Sequence, residues 1–131
     1  MTPSLRILVV EDNPVNQKLL SLMLRQFGYL SDIAPNGKDG LDLYAKNEYD
    51  LILMDIQMPI MDGFETTAII RTEERETGNH IPIIAVTAHV MPGYRERCLA
   101  GGMDNYLAKP FKMQDLKDII TETLQQTNVS N

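Results

Sequence analysis

Residues 51–64, LILMDIQMPIMDGF, contain the feature that decides the fold. The first four residues are apolar and predict a short strand that is buried on both faces. Asp55 follows at once, although a carboxylate at the end of a buried strand costs desolvation free energy. Such a position is tolerable only where the charge has a partner or a chemical use. We therefore take Asp55 as the first candidate functional residue.

Four other apolar segments predict strands, and a helical pattern follows each of the five. The strands are predicted at residues 5–10, 29–34, 51–54, 81–86 and 105–108, and the helices at residues 14–27, 38–47, 62–76, 92–100 and 111–124. Alternating strands and helices predict an α/β fold, a single flavodoxin-like (βα)5 domain. Its five-stranded parallel sheet carries helices on both faces. The apolar residues of the first helix recur at helical spacing: Val15, Leu19, Leu22, Met23 and Phe27.

The composition favours one ordinary domain without a nucleic-acid or membrane surface. The chain has 131 residues and a net charge of −6, with no Lys/Arg cluster of the kind that nucleic-acid binding needs. The single cysteine, Cys98, cannot form an internal disulfide, which predicts a reducing, cytoplasmic location. No apolar run approaches the ~20 residues of a membrane span. We predict a domain over residues 1–126 and a polar tail over residues 127–131.

Polar side chains follow four of the five predicted strands. The first strand is followed by Glu11 and Asp12, the third by Asp55, the fourth by Thr87 and the fifth by Lys109. In a parallel sheet these carboxyl ends meet at one edge, where ligands bind. Three carboxylates without His or Cys suit a hard cation, Mg²⁺ (or Mn²⁺). A hydroxyl and an ammonium beside such a cation suit the oxygens of a phosphoryl group, so this edge fits an aspartyl phosphate.

Four motifs at this spacing resemble the receiver domain of two-component response regulators. They are VVEDN at residues 9–13, MDIQMPIMDG at 54–63, IIAVTA at 83–88 and YLAKPF at 106–111. The resemblance runs from about residue 6 to about residue 124. The segments NPVNQ, DIQMPIMDG and CLAGGMDNYLAKP are most similar to receivers of hybrid histidine kinases.

This resemblance implies a phosphoacceptor and its metal site. Asp55 occupies the position of the phosphorylated aspartate. Asp12 and Asp55 would ligate Mg²⁺ together with the backbone carbonyl of Gln57, while Glu11 would hold a metal-bound water. Gln57 and His89 lie at the two positions that control water access and so the rate of dephosphorylation.

The resemblance also implies a conformational switch. Thr87 would hydrogen-bond one phosphoryl oxygen, and Lys109 would pair with another. Tyr106 matches the aromatic residue whose rotamer follows phosphorylation, and Lys109–Pro110 matches a peptide bond that the family holds cis. The small Ala88 would leave room for the donor.

The resemblance further implies partners and a class of activity. The donor would be a histidine kinase or a histidine phosphotransfer domain. The chain would not be an enzyme in the usual sense, but a signalling domain that promotes its own phosphorylation and its slow dephosphorylation. We expect a monomer or weak dimer that binds neither nucleic acid nor, by itself, a membrane.

The same residues argue against two other functions and leave a third open. A haloacid-dehalogenase type phosphohydrolase needs a second Asp two residues after its nucleophile, where this chain has Gln57. A nucleotide or flavin binder needs a glycine-rich loop where residues 11–14 read EDNP. A degenerate receiver that acts as a phosphorylation-independent interaction module stays the alternative. The sequence also leaves open whether the chain is a stand-alone receiver or a domain of a hybrid kinase.

Overall fold

The computed structural model describes residues 5–88 and 91–129, and in these ranges five strands alternate with five helices. The strands are β1 (Arg6–Val10), β2 (Leu30–Ala34), β3 (Leu51–Asp55), β4 (Ile83–Thr87) and β5 (Asn105–Ala108). The helices are α1 (Pro14–Gln26), α2 (Gly37–Lys46), α3 (Gly63–Thr77), α4 (Tyr94–Ala100) and α5 (Met113–Val129).

All neighbouring strands pair in parallel, in the order β2-β1-β3-β4-β5. This confirms the predicted (βα)5 fold with a five-stranded parallel sheet. The chain leaves β1 toward one edge to form β2 and returns across it to form β3. The carboxyl ends of β1 and β3 therefore flank the topological switch point, where a crevice opens between the loops.

Successive strand residues point to opposite faces of the sheet, and each face has its own apolar core. One core packs β-strand residues such as Leu8, Ile52 and Ala85 against α2, α3 and α4. The other packs Ile7 and Leu53 and their neighbours against α1 and α5. Because helices cover both faces, the three central strands β1, β3 and β4 are largely apolar.

The start of α3 is fixed close beneath the end of β3. Asp62 caps the helix by accepting from the Glu65 N–H at 2.8 Å, and the Glu65 side chain bonds back to the Asp62 N–H in a capping box. This confirms Asp62 as a structural cap. Gly63 is required by a close approach, since a Cβ there would lie 2.4 Å from the carbonyl oxygen of Asp55.

The apolar residues that recur along α1 do not all face the sheet. Val15, Leu19 and Leu22 have 75%, 46% and 50% of their surface exposed, while Leu20 and Leu24 are buried. The sheet contacts only a narrow stripe of the helix, and the apolar residues of α1 form a second stripe beside it. That second stripe leaves an apolar surface near the carboxyl end of β1.

Several element ends also differ from the prediction. Asp55 is the last residue of β3 rather than the first residue after it. Gly93, with a left-handed φ of 80°, delays α4 to Tyr94 instead of residue 92. The last helix continues to Val129, beyond the predicted domain boundary at residue 126.

Ile60 adopts an unfavourable backbone conformation in the loop after β3. Its φ is 73°, in a tight turn where the Met61 N–H donates to the Pro59 carbonyl at 2.8 Å. A positive φ in a γ-turn, closed by this hydrogen bond between residues two positions apart, is strained for a residue with a Cβ and costs about 1–3 kcal/mol. Among residues with a Cβ, Asn tolerates a positive φ better. The Ile60 side chain is 81% exposed, so little burial offsets this cost.

We expect Ile60→Asn to raise the free energy of unfolding by about 1 kcal/mol, because it relieves backbone strain. Urea denaturation followed by circular dichroism measures the change. Ile60→Val is the matched control, since it keeps a β-branched side chain and should give no gain. Equal stability of the Asn and Val variants would contradict the assignment of strain.

In the described part of the chain, no helix combines the length and apolar character that crossing a bilayer demands.

Candidate functional site

The register of the sheet brings the predicted site residues to one edge. Val10 pairs with Met54, which places Glu11 beside Asp55 across the β1–β3 ladder. Thr87 ends β4 and pairs with Ala108. The next residue, Lys109, donates its backbone N–H to the Thr87 carbonyl at 2.8 Å and thus extends the ladder. Four strand ends therefore converge, as the sequence predicted.

Lys109 neutralises the acidic group, but its nearer partner is Glu11 and not Asp55. The ammonium Nζ lies 2.7 Å from Glu11 Oε1 and 3.9 Å from Asp55 Oδ1. The other Glu11 oxygen, Oε2, accepts from the Asn13 N–H at 3.1 Å. The Lys109–Pro110 peptide bond is cis, as the resemblance implied. Glu11 is thus held on both oxygens and keeps the lysine over the site.

Three carboxylates form a compact cluster in the crevice. Glu11, Asp12 and Asp55 each offer an oxygen, and these oxygens lie within 4.8 Å of one another. Glu11 and Asp55 are buried, and Asp12 is more open to solvent. The pKa of Asp55 is raised to about 7, mainly by burial and then by the charge of Glu11, while the charge of Lys109 opposes the rise. At neutral pH the cluster holds more negative charge than its one lysine can balance.

The donor set fits a hard divalent cation. All three side chains present oxygen, and an oxygen-only set is what Mg²⁺ or Mn²⁺ prefers. Burial is the main cause of the raised pKa of Asp55 and the charge of Glu11 adds to it, and a bound cation would oppose both effects.

Magnesium affinity should therefore depend on pH. Because Asp55 must ionise before it can ligate a cation, a proton competes with the metal below a pKa of about 7. We expect the apparent Mg²⁺ affinity to fall about tenfold per pH unit below that value and to be constant above it. Calorimetric titration at pH 5.5, 6.5 and 8 measures this, and equal affinities at pH 5.5 and 8 would contradict it.

Tyr106, the predicted switch residue, lies in β5 and is partly buried. Its ring meets the ring of Tyr94 edge to face, with centroids 6.2 Å apart. Tyr94 begins α4 and is buried. Sequence reasoning missed Tyr94. The signal for it was an aromatic residue four positions before the buried Cys98 on the same helix.

The structure describes only one of the two positions that were predicted to control water access. Gln57 is exposed in the loop after β3, and it lines a cleft together with Met91, Phe64 and Tyr94. The role of its backbone carbonyl as a metal ligand stays a prediction. His89 lies outside the described residues. Ala88 is exposed beside Lys109, as an accessible site needs.

At the opposite edge of the sheet, Asp104 lies in a network of hydrogen bonds and ion pairs. Its Oδ2 accepts from the Arg71 guanidinium at 2.8 Å and from the Ile83 N–H at 2.8 Å, and its Oδ1 lies 2.7 Å from His80 Nε2. Arg71 also pairs with the buried Glu74 at 2.6 Å. This network ties α3 to the starts of β4 and β5 and is structural.

Comparisons with known proteins agree with this geometry. The family model described as the response regulator receiver domain matches residues 7–121. The chain is 49% identical over 120 residues to hybrid signal transduction histidine kinase I of Dictyostelium discoideum, a match that covers 88% of this chain and 7% of that protein. It is 41% identical over 115 residues to sensor histidine kinase RcsC of Escherichia coli, covering 88% of this chain and 12% of RcsC. The chain thus spans a small fraction of these relatives.

Two solved receiver domains share the fold and are similar in sequence. The receiver domain of sensor histidine kinase PA1611 from Pseudomonas aeruginosa, solved with a magnesium ion in its active site cleft, has a TM-score of 0.83 and 42% identity, over 94% of this chain and 99% of that one. The receiver domain of Saccharomyces cerevisiae Ssk1, crystallised with the phosphotransfer protein Ypd1, has a TM-score of 0.87 and 30% identity, over 97% and 93%. With a family match across most of its length, the chain belongs to the response regulator receiver domains of two-component signal transduction.

Proposed function

We propose that this receiver takes a phosphoryl group onto Asp55 from a phosphohistidine, in a reaction that requires Mg²⁺ (or Mn²⁺). The observation that carries the proposal is the cluster of Glu11, Asp12 and Asp55 with Lys109 beside it. This cluster places a nucleophilic carboxylate, a metal-binding oxygen set and a fixed positive charge in one crevice.

The chemical step transfers the phosphoryl group between two side chains. An Asp55 carboxylate oxygen attacks phosphorus, the P–N bond to the donor imidazole breaks, and the imidazole nitrogen leaves with the bonding electrons. The product is an aspartyl phosphate and a histidine. Water later attacks phosphorus, and this hydrolysis restores the carboxylate and releases phosphate.

Each neighbouring group has a defined task in this step. Glu11, Asp12 and Asp55, with the Gln57 carbonyl, would hold the cation, which neutralises phosphoryl oxygens when bound. Lys109 Nζ, 3.9 Å from Asp55 in this structure, pairs with a second phosphoryl oxygen. The Thr87 hydroxyl donates to a third.

Phosphorylation then shifts a conformational equilibrium. The phosphoryl group adds about −1.5 to −2 charges and new acceptor oxygens, which draw Thr87 toward Asp55. Tyr106 turns inward into the vacated space. The face formed by α4, β5 and α5 changes shape, and any partner that prefers the new shape adds to the shift.

The donor is a protein, a histidine kinase or a histidine phosphotransfer domain. The exposed apolar side chains of α1, Val15, Leu19 and Leu22, lie on the helix that follows the metal-binding Asp12. An apolar surface next to a reactive site suits a docked protein more than a small molecule. We further propose a cytoplasmic location and a parent protein of the hybrid-kinase kind, in line with the curated relatives.

Phosphorylation by two donors tests the proposal. The protein is incubated with phosphoramidate, or with phosphorylated Ypd1, in Mg²⁺ or in EDTA, and intact mass is measured. We expect one added phosphoryl group with either donor in Mg²⁺ and none in EDTA. No addition to the folded protein from either donor would overturn the proposal and favour a phosphorylation-independent interaction module.

A further inference from the structure

A glutamine near the start of α1 is hydrogen-bonded to the backbone of the carboxylate cluster. Gln17 lies three and seven positions before Leu20 and Leu24, the two buried residues of α1, and so begins the stripe that faces the sheet. Its side-chain Nε2 donates to the backbone carbonyl of Glu11 at 2.7 Å. The helix therefore directs a polar side chain at the carboxyl end of β1.

Glutamine at this position supplies a hydrogen bond where the rest of the stripe supplies packing. The Gln17 side chain is partly buried, on the face where Leu20 and Leu24 meet the sheet. An apolar side chain of similar size would remove more apolar surface from water and would need no partner. What Gln17 adds instead is a donor for a carbonyl beside the metal-binding carboxylates.

The carbonyl that Gln17 holds belongs to the peptide group between Glu11 and Asp12. The peptide group on the other side of Asp12 is held as well, because the Asn13 N–H donates to Glu11 Oε2 at 3.1 Å. The Glu11 N–H donates to the Ala34 carbonyl at 3.0 Å. Since each peptide group is planar, holding the planes on both sides leaves the Asp12 backbone little freedom to rotate.

Asp12 depends on its backbone more than the other two carboxylates do. Glu11 and Asp55 are buried and are fixed by their surroundings, whereas Asp12 is more open to solvent. An Asp12 oxygen nevertheless lies within 4.8 Å of oxygens of both. Because Mg²⁺ demands near-ideal octahedral geometry, a change in the backbone direction at Asp12 would move one ligand out of place.

We infer that Gln17 is a positioning residue of the metal site, which aims the Asp12 carboxylate into the crevice by holding the peptide group between Glu11 and Asp12. The inference rests on the proposed Mg²⁺ site and adds to it a residue of α1. Gln17 acts through the backbone and is not itself a ligand.

Removing the donor should weaken metal binding. Gln17→Met keeps a side chain of similar length that suits a helix, but it cannot donate to Glu11. Residues that hold a metal ligand from outside are worth about 10–100-fold in metal affinity. Because Gln17 acts through the backbone and not on the ligand atom, we expect the lower end, an apparent Mg²⁺ affinity about tenfold weaker. Calorimetric titration at pH 8 measures it.

Phosphorylation separates weaker metal binding from damaged chemistry. With phosphoramidate as the donor, the Mg²⁺ concentration that gives half the maximal rate should rise about tenfold in Gln17→Met. The rate at saturating Mg²⁺ should stay within about twofold of that of the unmodified protein, because the filled site keeps Asp55 and the Lys109 charge. A lower rate at saturation with an unchanged Mg²⁺ requirement would overturn the inference.

Two controls separate positioning from general damage to α1. Gln26→Met makes the same substitution in the exposed last turn of the helix and should leave Mg²⁺ affinity unchanged. Leu24→Val shortens a fully buried side chain on the same stripe, so it should lower the free energy of unfolding in EDTA but not the Mg²⁺ affinity. An equal loss of affinity in Leu24→Val, or unchanged affinity in Gln17→Met, would sink the assignment.

A double mutant tests whether Gln17 acts through Asp12. Asp12→Asn lacks one ligand charge and should bind Mg²⁺ weakly, and adding Gln17→Met should weaken binding no further. The same tenfold loss in both backgrounds would show that Gln17 does not act through Asp12 and would overturn the inference. Failure of the unmodified protein to bind Mg²⁺ at all would instead overturn the proposed function together with the inference.

Discussion

Asp55→Asn should take up no phosphoryl group from phosphoramidate or phosphorylated Ypd1, because the neutral amide oxygen does not replace the carboxylate as a nucleophile. The variant should also lose most of its Mg²⁺ affinity, since one of three clustered carboxylates is gone. Intact mass after incubation in Mg²⁺ measures the first effect, and calorimetry measures the second.

The same substitution should stabilise the metal-free protein, with a defined dependence on pH. Asp55 has a pKa of about 7 in the folded protein and an ordinary value of 3.8, so the folded state binds its proton more tightly. The contribution of Asp55 to stability is therefore greatest below about pH 4 and is lost as the pH rises from about 4 to about 7. Asn carries no charge and escapes that loss. Allowing for solvent screening in the open crevice, we expect a gain of about 2 kcal/mol above pH 7 in EDTA and none near pH 4.

In Mg²⁺ we expect the wild-type protein to be more stable than Asp55→Asn, the reverse of their order in EDTA. The ion binds the folded wild-type protein and raises its free energy of unfolding, but it has a poor site in Asp55→Asn. Asp62→Asn is the matched control in the same loop, because Asn also caps a helix and this position has no contact with the site. Phosphorylation of Asp55→Asn at another residue, or a variant less stable than wild type in EDTA at pH 8, would contradict the assignment.

The fold and most of the site follow from local patterns in the sequence. Apolar runs identified the three central strands because a parallel sheet covered on both faces leaves no polar alternation there, while the two outer strands, YLSDIA and NYLA, were identified by their place between helices. The residues after those strands then identified Glu11, Asp12, Asp55, Thr87 and Lys109, since parallel strand ends meet at one edge.

Features that depend on three-dimensional partners were harder to predict. The exposure of Leu19 and Leu22 depends on which stripe of α1 meets the sheet, and both stripes are apolar. The rings of Tyr94 and Tyr106 meet only because α4 packs beside β5, which no local pattern reveals. The pairing of Asp104 with Arg71 joins residues 33 positions apart, which no local pattern reveals.

Lys109→Gln should lower the phosphorylation rate by phosphoramidate at least about 100-fold, because it removes a charge that stabilises the transferring phosphoryl group. The Mg²⁺ affinity should change in the opposite direction. With the ammonium gone, the carboxylates at 2.7 and 3.9 Å lose their competing cation and attract the metal more strongly. A rate that falls while metal affinity rises distinguishes loss of Lys109 from general damage to the site.

The free energy of unfolding of Lys109→Gln measures independently how much the Lys109 charge stabilises the folded protein. Glu11 is 1% exposed and loses its ion-pair partner, so the free energy of unfolding should fall by about 3 kcal/mol in EDTA at pH 8. The loss should be smaller at pH 5, where Asp55 is protonated and the repulsion is weaker. Millimolar Mg²⁺ should restore much of the stability by supplying positive charge.

Lys112→Gln, which replaces an exposed lysine three residues away, is the control and should change neither stability nor rate. If Lys109→Gln instead matched Lys112→Gln in EDTA, the pair between Lys109 and Glu11 would contribute nothing, and the acidic crevice would be balanced by other means.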